Sequence, residues 1–292
     1  MNIKIFSKYL IMKVDTLILS GGGPSGIAYI GIFTALFENK IIRKDLKGIK
    51  EIITTSAGIF FSFFLLLKID IKIVFKLIDR FNISSILQNE KISINDLLVD
   101  FGIYSNHKIK NMFQATIKNI YQKEDFTLQE LYDLTHIKLT VKVFNVTLKQ
   151  IEYISYQTEP TLTISTLAMM TTAIPLLFKP VKYKNYDYID GGLRGHFPIE
   201  VCQSKDYLGI FIIGGSFPEN HKIIQLFPII EYLYSLMINQ DCISYQPGEQ
   251  KKIIYNNINL GLDFNVTEQL YLKVIQIGYD NTMKFIHENL EK

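Results

Sequence analysis

The sequence predicts an α/β fold, with a central, mostly parallel sheet in a three-layer α/β/α arrangement and further helices at the C-terminal end. Three observations predict it. Strand, tight turn and helix follow one another at residues 14–39 and again at residues 49–67. Two more strand-like runs, 186–189 and 208–213, lead into Asp190-Gly191-Gly192 and Gly214-Gly215. A chain of 292 residues that is 48% apolar supplies the core such a sheet needs and excludes disorder.

Each element has its own signal. Residues 14–19 are rich in Val, Ile and Leu and stop at Ser20-Gly21-Gly22-Gly23, as a buried parallel strand ending in a tight turn does. From Gly26 to Asn39, Ile27, Ile30, Ala35, Leu36 and Phe37 sustain a helical period, and residues 40–48 form a more polar connection. Residues 49–55 are a second β-branched run, cut off by Ser56-Ala57-Gly58 before an apolar helix that begins near Ile59. Residues 70–122 alternate apolar and polar residues at helical spacing, giving two or three helices, one entered at Ser105-Asn106 as N-cap. This stretch reads as a lid or an insertion.

Thr127-Leu128-Gln129-Glu130 has the spacing of a capping box and opens a short helix. Residues 138–146 and 151–155 then read as paired strands around a polar turn, and 163–172 as a helix that ends before Ile174-Pro175. Two helices follow the 208–213 strand, near residues 223–238 and 267–290. The simplest partition is an α/β domain over 14–205, with the final strand and a helical extension over 206–292.

Composition narrows the partners and the compartment. With 20% charged residues and a net charge of +3, the chain lacks the dense Lys/Arg blocks of a nucleic-acid-binding arm. Cys202 and Cys242 are too few for a disulfide framework or a four-ligand zinc site, which favours a reducing compartment. Lys4, Lys8 and Lys13 interrupt the apolar residues at the start, so it is a poor secretory signal. The most apolar run, 59–67, falls well short of the roughly 20 residues a bilayer-spanning helix needs. The expectation is a cytoplasmic protein, with peripheral contact at membranes left open.

Three motifs sit at strand ends. Gly21-Gly22-Gly23-Pro24-Ser25-Gly26 satisfies G-x-G-x-x-G between a strand and a helix. A dinucleotide site also wants an acidic residue at the end of the second strand, and Asp45 lies before that strand. The other use of such a loop is to aim backbone N–H groups at a developing negative charge, with Gly22, Gly23 and Gly26 as donors; a turn that merely packs is the plainer use. Thr54-Thr55-Ser56-Ala57-Gly58 stands where a nucleophile elbow belongs, although Ser56 read alone is also an N-cap for the next helix. A serine nucleophile needs a base, and Asp190, ending a strand and followed by two glycines, is the best candidate at the carboxyl edge of a parallel sheet. Read alone, Asp190-Gly191 is an ordinary turn.

Together, LSGGGPSGIAYIGIF, LKGIKEIITTSAGIF and TTAIPLLFKPVKYKNYDYIDGGLRGHFP resemble the oxyanion loop, nucleophile elbow and D-G-G/A segment of the patatin-like phospholipase family. The resemblance runs from about residue 14 to about residue 200. It implies a lipid acyl hydrolase of phospholipase A type, in which Ser56 attacks an ester carbonyl and Asp190 is the general base, without a histidine. It assigns the oxyanion loop to Gly22, Gly23 and Gly26 and supporting places to Gly21, Thr54, Gly58, Gly191 and Gly192. The substrate is then a glycerolipid or phospholipid at a membrane or micelle surface, with no cofactor or metal. An aspartate serving as base should be partly desolvated, which raises its pKa.

The chain departs from the family pattern at several places. Ser25 stands where the family usually has Arg or Lys, and Thr54 replaces the elbow's first glycine. Arg194 and His196 follow Asp190 where many relatives carry asparagines, and either is placed to touch a head group. These departures motivate a catalytically impaired lipid-binding protein as the alternative, and the same dyad also permits acyl transfer to another alcohol. A Ser-His-Asp arrangement would draw on His196, His221 or His287, none of which has a supporting motif. His107 and His136 read as surface or packing residues.

Overall fold

The computed structural model describes residues 12–71, 73–74, 99–213, 252–258, 260 and 266–290. The strands, in chain order, are β1 Thr16–Leu19, β2 Glu51–Thr55, β3 Gly102–Tyr104, β4 Lys138–Asn145, β5 Gln150–Ile154, β6 Leu176–Phe178, β7 Val181–Tyr183, β8 Tyr186–Asp190, β9 Tyr207–Ile213 and β10 Ile253–Asn257. The helices are α1 Ala28–Glu38, α2 Gly58–Leu66, α3 His107–Tyr121, α4 Leu128–Thr135, α5 Ile164–Thr171 and α6 Glu268–Leu290. Short 3-10 turns occupy Gly23–Ile27, Gly191–Arg194 and Ile199–Val201. The expected helix near 223–238, with Gly214-Gly215, His221 and Cys242, lies outside the described residues.

One eight-stranded sheet organises the chain in the order β10-β9-β1-β2-β4-β8-β7, with β5 also on β4; β3 and β6 form a separate parallel pair. Pairings are parallel from β10 through β4 and antiparallel beyond it, so the α/β expectation of a mostly parallel sheet holds. All four residues of β1 are buried, as in a strand covered on both faces. Leu17, Leu19, Ile52, Ile210 and Ile212 enter the large core under the helices. Ile18, Ile53 and Phe211 point the other way, against Phe197 and the Ile199–Val201 turn.

Helix ends follow local chemistry. Thr127 closes the expected capping box at α4, its hydroxyl accepting from the Glu130 N–H while the Glu130 carboxylate accepts from the Thr127 N–H. Asn106 does occupy the N-cap of α3, but its side chain makes no cap bond and instead donates to the Met169 carbonyl at 2.7 Å. α2 is buried along nearly its whole length, and no helix of the described residues is long and apolar enough to cross a membrane. Within 206–292, β9 and β10 extend the sheet and α6 lies along α1. That crossing is backbone against backbone: a Cβ on Gly31 would sit 1.9 Å from the Ile275 carbonyl oxygen, and one on Gly278 2.5 Å from that of Ala28.

The direction of β8 corrects the sequence reading, which placed Asp190 at the end of a parallel strand. Val141 and Lys142 of β4 pair with both β2 and β5, so β2 and β5 flank β4 on opposite edges. Val143 to Asn145 pair with both β5 and β8, so β8 lies on the same edge of β4 as β2. The two strands arrive along that edge from opposite directions. Thr55 pairs with Lys142 and Asp190 with Val143, so the chain ends of β2 and β8 meet.

Candidate active site

Ser56 follows directly on β2 and takes a left-handed backbone conformation, φ 49°, before α2 begins. For a residue with a Cβ this conformation is strained, and strain of this kind collects at functional turns. Small neighbours permit the sharp reversal. A Cβ on Gly58 would meet Thr54 Oγ1 at 2.3 Å and the Ser20 carbonyl oxygen at 2.8 Å. Thr54 is thus accommodated because Gly58 leaves it room. It is fully buried, and its hydroxyl has no hydrogen-bond partner.

The meeting of β2 and β8 brings Ser56 Oγ to donate to Asp190 Oδ2 at 2.6 Å. The other carboxylate oxygen accepts from the Gly192 N–H at 2.7 Å, and the Asp190 N–H donates to the Ala173 carbonyl at 2.9 Å. Asp190 is completely buried, Ser56 7% exposed. Burial raises the Asp190 carboxyl to about 6, with the bonds from Ser56 and Gly192 and the charges of His196 and Lys142 pulling the other way. The result is a carboxyl held well above the ordinary carboxylate range.

The glycine loop lies directly over this pair. A Cβ on Gly21 would be 3.0 Å from Ser56 Cβ, and one on Gly26 would be 3.2 Å from Ala57 Cβ. The Gly21 N–H donates to the His196 carbonyl at 2.7 Å, and the Ser20 hydroxyl accepts from the Ile212 N–H at 2.9 Å, which ties the loop to its neighbours. Gly23, at φ 50°, starts the 3-10 turn with Gly22 as its N-cap, and the first amides of such a turn have no acceptor within it. Ser25 is buried; its hydroxyl donates to the Ile258 carbonyl at 3.2 Å and accepts from the Leu260 N–H at 3.3 Å. The place of the family's cation is thereby taken by a link to the segment after β10.

The histidines divide clearly. His196 lies beside the dyad, its Cβ 3.4 Å from where a Cβ of Gly21 or Gly192 would be, and its Nε2 pairs with the Ile212 carbonyl at 3.0 Å. His107, His136 and His287 are exposed. Arg194 is exposed next to the site, its guanidinium 5.8 Å from the Phe144 ring. Among the described residues no cluster of three potential metal ligands occurs.

Two residues of the site carried no sequence signal. The Ser56 N–H donates to Thr171 Oγ1 at 2.8 Å, and that hydroxyl donates to the Lys142 carbonyl at 2.9 Å. Thr171 sits at the end of an ordinary helix and Lys142 inside an ordinary strand; only the packing of α5 on β4 and β8 brings them here.

A family model described as patatin-like phospholipase matches residues 17–202, which contain the loop, the elbow and Asp190. A probable lipid hydrolase, 463L of Invertebrate iridescent virus 6, is 26% identical over 187 residues, covering 64% of this chain and 62% of that protein. The chain therefore aligns with less than two thirds of that relative's length. An uncharacterized protein, R571 of Acanthamoeba polyphaga mimivirus, is 22% identical over 264 residues, 89% of this chain and 86% of that one. In fold, the chain is similar to VipD from Legionella pneumophila, with a TM-score of 0.63 at 20% identity over 95% of this chain and 67% of VipD. Because that family model spans residues 17–202, more than half of its length, the chain belongs to the patatin-like phospholipase family.

Proposed function

We propose that the protein is a lipid acyl hydrolase of phospholipase A type, acting on fatty-acyl esters of glycerolipids through Ser56 and Asp190. The observation that carries this reading is the 2.6 Å bond from the buried serine hydroxyl to a buried carboxylate whose pKa lies near 6. Asp190 takes the Ser56 proton as Oγ attacks the ester carbonyl carbon. The negative charge that forms on the carbonyl oxygen is met by the amides of Gly22 and Gly23. Gly26 lies inside the 3-10 turn, where i→i−3 bonding occupies the amide, and its missing side chain lets the turn rest on Ala57.

Collapse of the tetrahedral species breaks the ester C–O bond, and Asp190 returns the proton to the departing lysolipid oxygen. Water then attacks the acyl-enzyme, giving its proton to Asp190; release of the fatty acid restores the Ser56 hydroxyl. The substrate would be met at a membrane or micelle surface.

The test combines a fluorophosphonate probe with fatty-acid release from a panel of defined glycerolipids, with calcium chelated. Covalent labelling and fatty-acid release by the wild type, both lost in Ser56→Ala, are the expected results. A folded wild type that takes no label sinks the reading. Adding glycerol and analysing the products separates hydrolysis from acyl transfer.

A further inference from the structure

Lys142 is the buried charge that the mechanism above leaves without a task. It lies in β4, its side chain 1% exposed, and Nζ donates to the carbonyls of Arg194 and Gly195 at 2.7 Å each. Its third partner is the Glu200 carboxylate at 2.6 Å, half-exposed at the surface. Three ammonium hydrogens thus have three acceptors, the condition under which a buried cation is tolerated. Tyr153 donates to the same Glu200 oxygen, and burial together with that carboxylate pushes the phenol up, so it remains a donor.

The same residue adjoins both halves of the dyad through their neighbours. Its carbonyl accepts from Thr55 Oγ1 at 3.1 Å and from Thr171 Oγ1 at 2.9 Å, the hydroxyl that holds the Ser56 N–H. Its side chain and carbonyl form the floor under the Asp190 turn: a Cβ on Gly191 would lie 2.5 Å from the Lys142 carbonyl oxygen and 2.9 Å from its Cγ. The ammonium then grips the far end of that turn at residues 194 and 195. We propose that Lys142 is a positioning residue of the dyad: its ammonium fastens the turn that presents Asp190 to Ser56. The same buried positive charge, on the strand next to the aspartate, opposes its desolvation.

The inference rests on the dyad reading. The groups facing Asp190 are the Ser56 hydroxyl, the Gly192 N–H, His196 on the following loop and Lys142 on β4. Glu200, Tyr153 and Arg194 complete the charged and titratable surroundings of the lysine and its turn. Removing the ammonium therefore leaves Asp190 with desolvation and less opposing it, which moves its protonation upward. Neutralising Glu200 leaves the ammonium without its counter-charge and moves it downward.

The experiment is the pH dependence of fluorophosphonate labelling in wild type, Lys142→Met and Glu200→Gln, with circular dichroism to verify folding. In Lys142→Met the acid limb is expected to move up; a move of about one pH unit lowers the rate about tenfold near pH 5 and only about twofold at pH 7, one unit being a factor of ten in the protonation equilibrium. In Glu200→Gln the limb is expected to move down. Lys142→Arg should restore the position of the limb even where the rate stays low. If Lys142→Met does not fold, the shift in Glu200→Gln decides. An acid limb unmoved in the folded variants of a labelled wild type overturns the inference alone. An unlabelled wild type, or an Asp190→Asn variant that labels normally, fails the dyad reading and this inference with it.

Discussion

Asp190→Asn should inactivate the protein and stabilise it at the same time. The amide has the shape of the carboxylate, so its oxygen can keep the Gly192 N–H and its NH2 can donate to Ser56 Oγ. What it removes is a buried negative charge. The Asp190 carboxyl is raised from 3.8 to about 6 by desolvation, roughly two pH units, and each unit corresponds to about 1.4 kcal/mol, so the ionised form costs about 3 kcal/mol of stability at neutral pH. Folded protein holds the proton up to about pH 6, whereas the unfolded chain releases it near the ordinary aspartate value. Between these limits the folded state binds more protons, so this group lowers the unfolding free energy as pH rises, and above about pH 6 the whole cost applies.

The variant lacks that slope. Its stability minus that of the wild type should be near zero below about pH 4, rise through the window and level at about 3 kcal/mol above pH 6, a gain of about 6–12 °C in Tm. Urea unfolding followed by circular dichroism across pH 4–8 measures the difference, in which the opposing slopes of Asp15 and Glu130, whose pKa values are lowered, cancel. Fatty-acid release should fall about 100- to 10,000-fold, the range for loss of a general base. A variant no more stable than the wild type at pH 7.5, or one whose advantage does not change with pH, refutes the account of Asp190 as a desolvated base.

Other substitutions probe the parts that position the site. Thr54→Val removes a buried hydroxyl that has no partner and keeps its shape, so the variant should label with fluorophosphonate normally and gain about 1 kcal/mol in urea unfolding. Gly31→Ala would drive a methyl into the Ile275 carbonyl at 1.9 Å and must push α6 off α1; a loss of about 3 kcal/mol or more is expected by thermal unfolding. Thr127→Ala deletes one bond of the α4 capping box and should cost about 1 kcal/mol, with labelling at Ser56 unchanged.

What could be read from the sequence was what depends on neighbours along the chain. Residues 14–23 announced a buried strand and its turn, Thr127 to Glu130 a capping box, and Thr54 to Gly58 an elbow, because side-chain periodicity, capping and small-residue turns act over a few positions. The three-residue strands β3, β6 and β7 escaped because they are too short to show a period, and β10 because nothing local marks it. Asn106 illustrates the boundary: its place at the head of α3 was legible, its bond to Met169 was not, since that partner lies 63 positions away.

The candidate site divides in the same way. Ser56 and Asp190 were each nameable from local pattern, and their family resemblance joined them. Their juxtaposition, however, comes from β2 and β8 sharing one edge of β4 from opposite ends, a register that no stretch of sequence contains. Thr171 and Lys142 became visible only through it, one holding the Ser56 amide and the other lying beneath the Asp190 turn. The shift of Asp190 toward neutrality is likewise a property of burial, and burial is set by everything packed around a group rather than by the residues next to it in the chain.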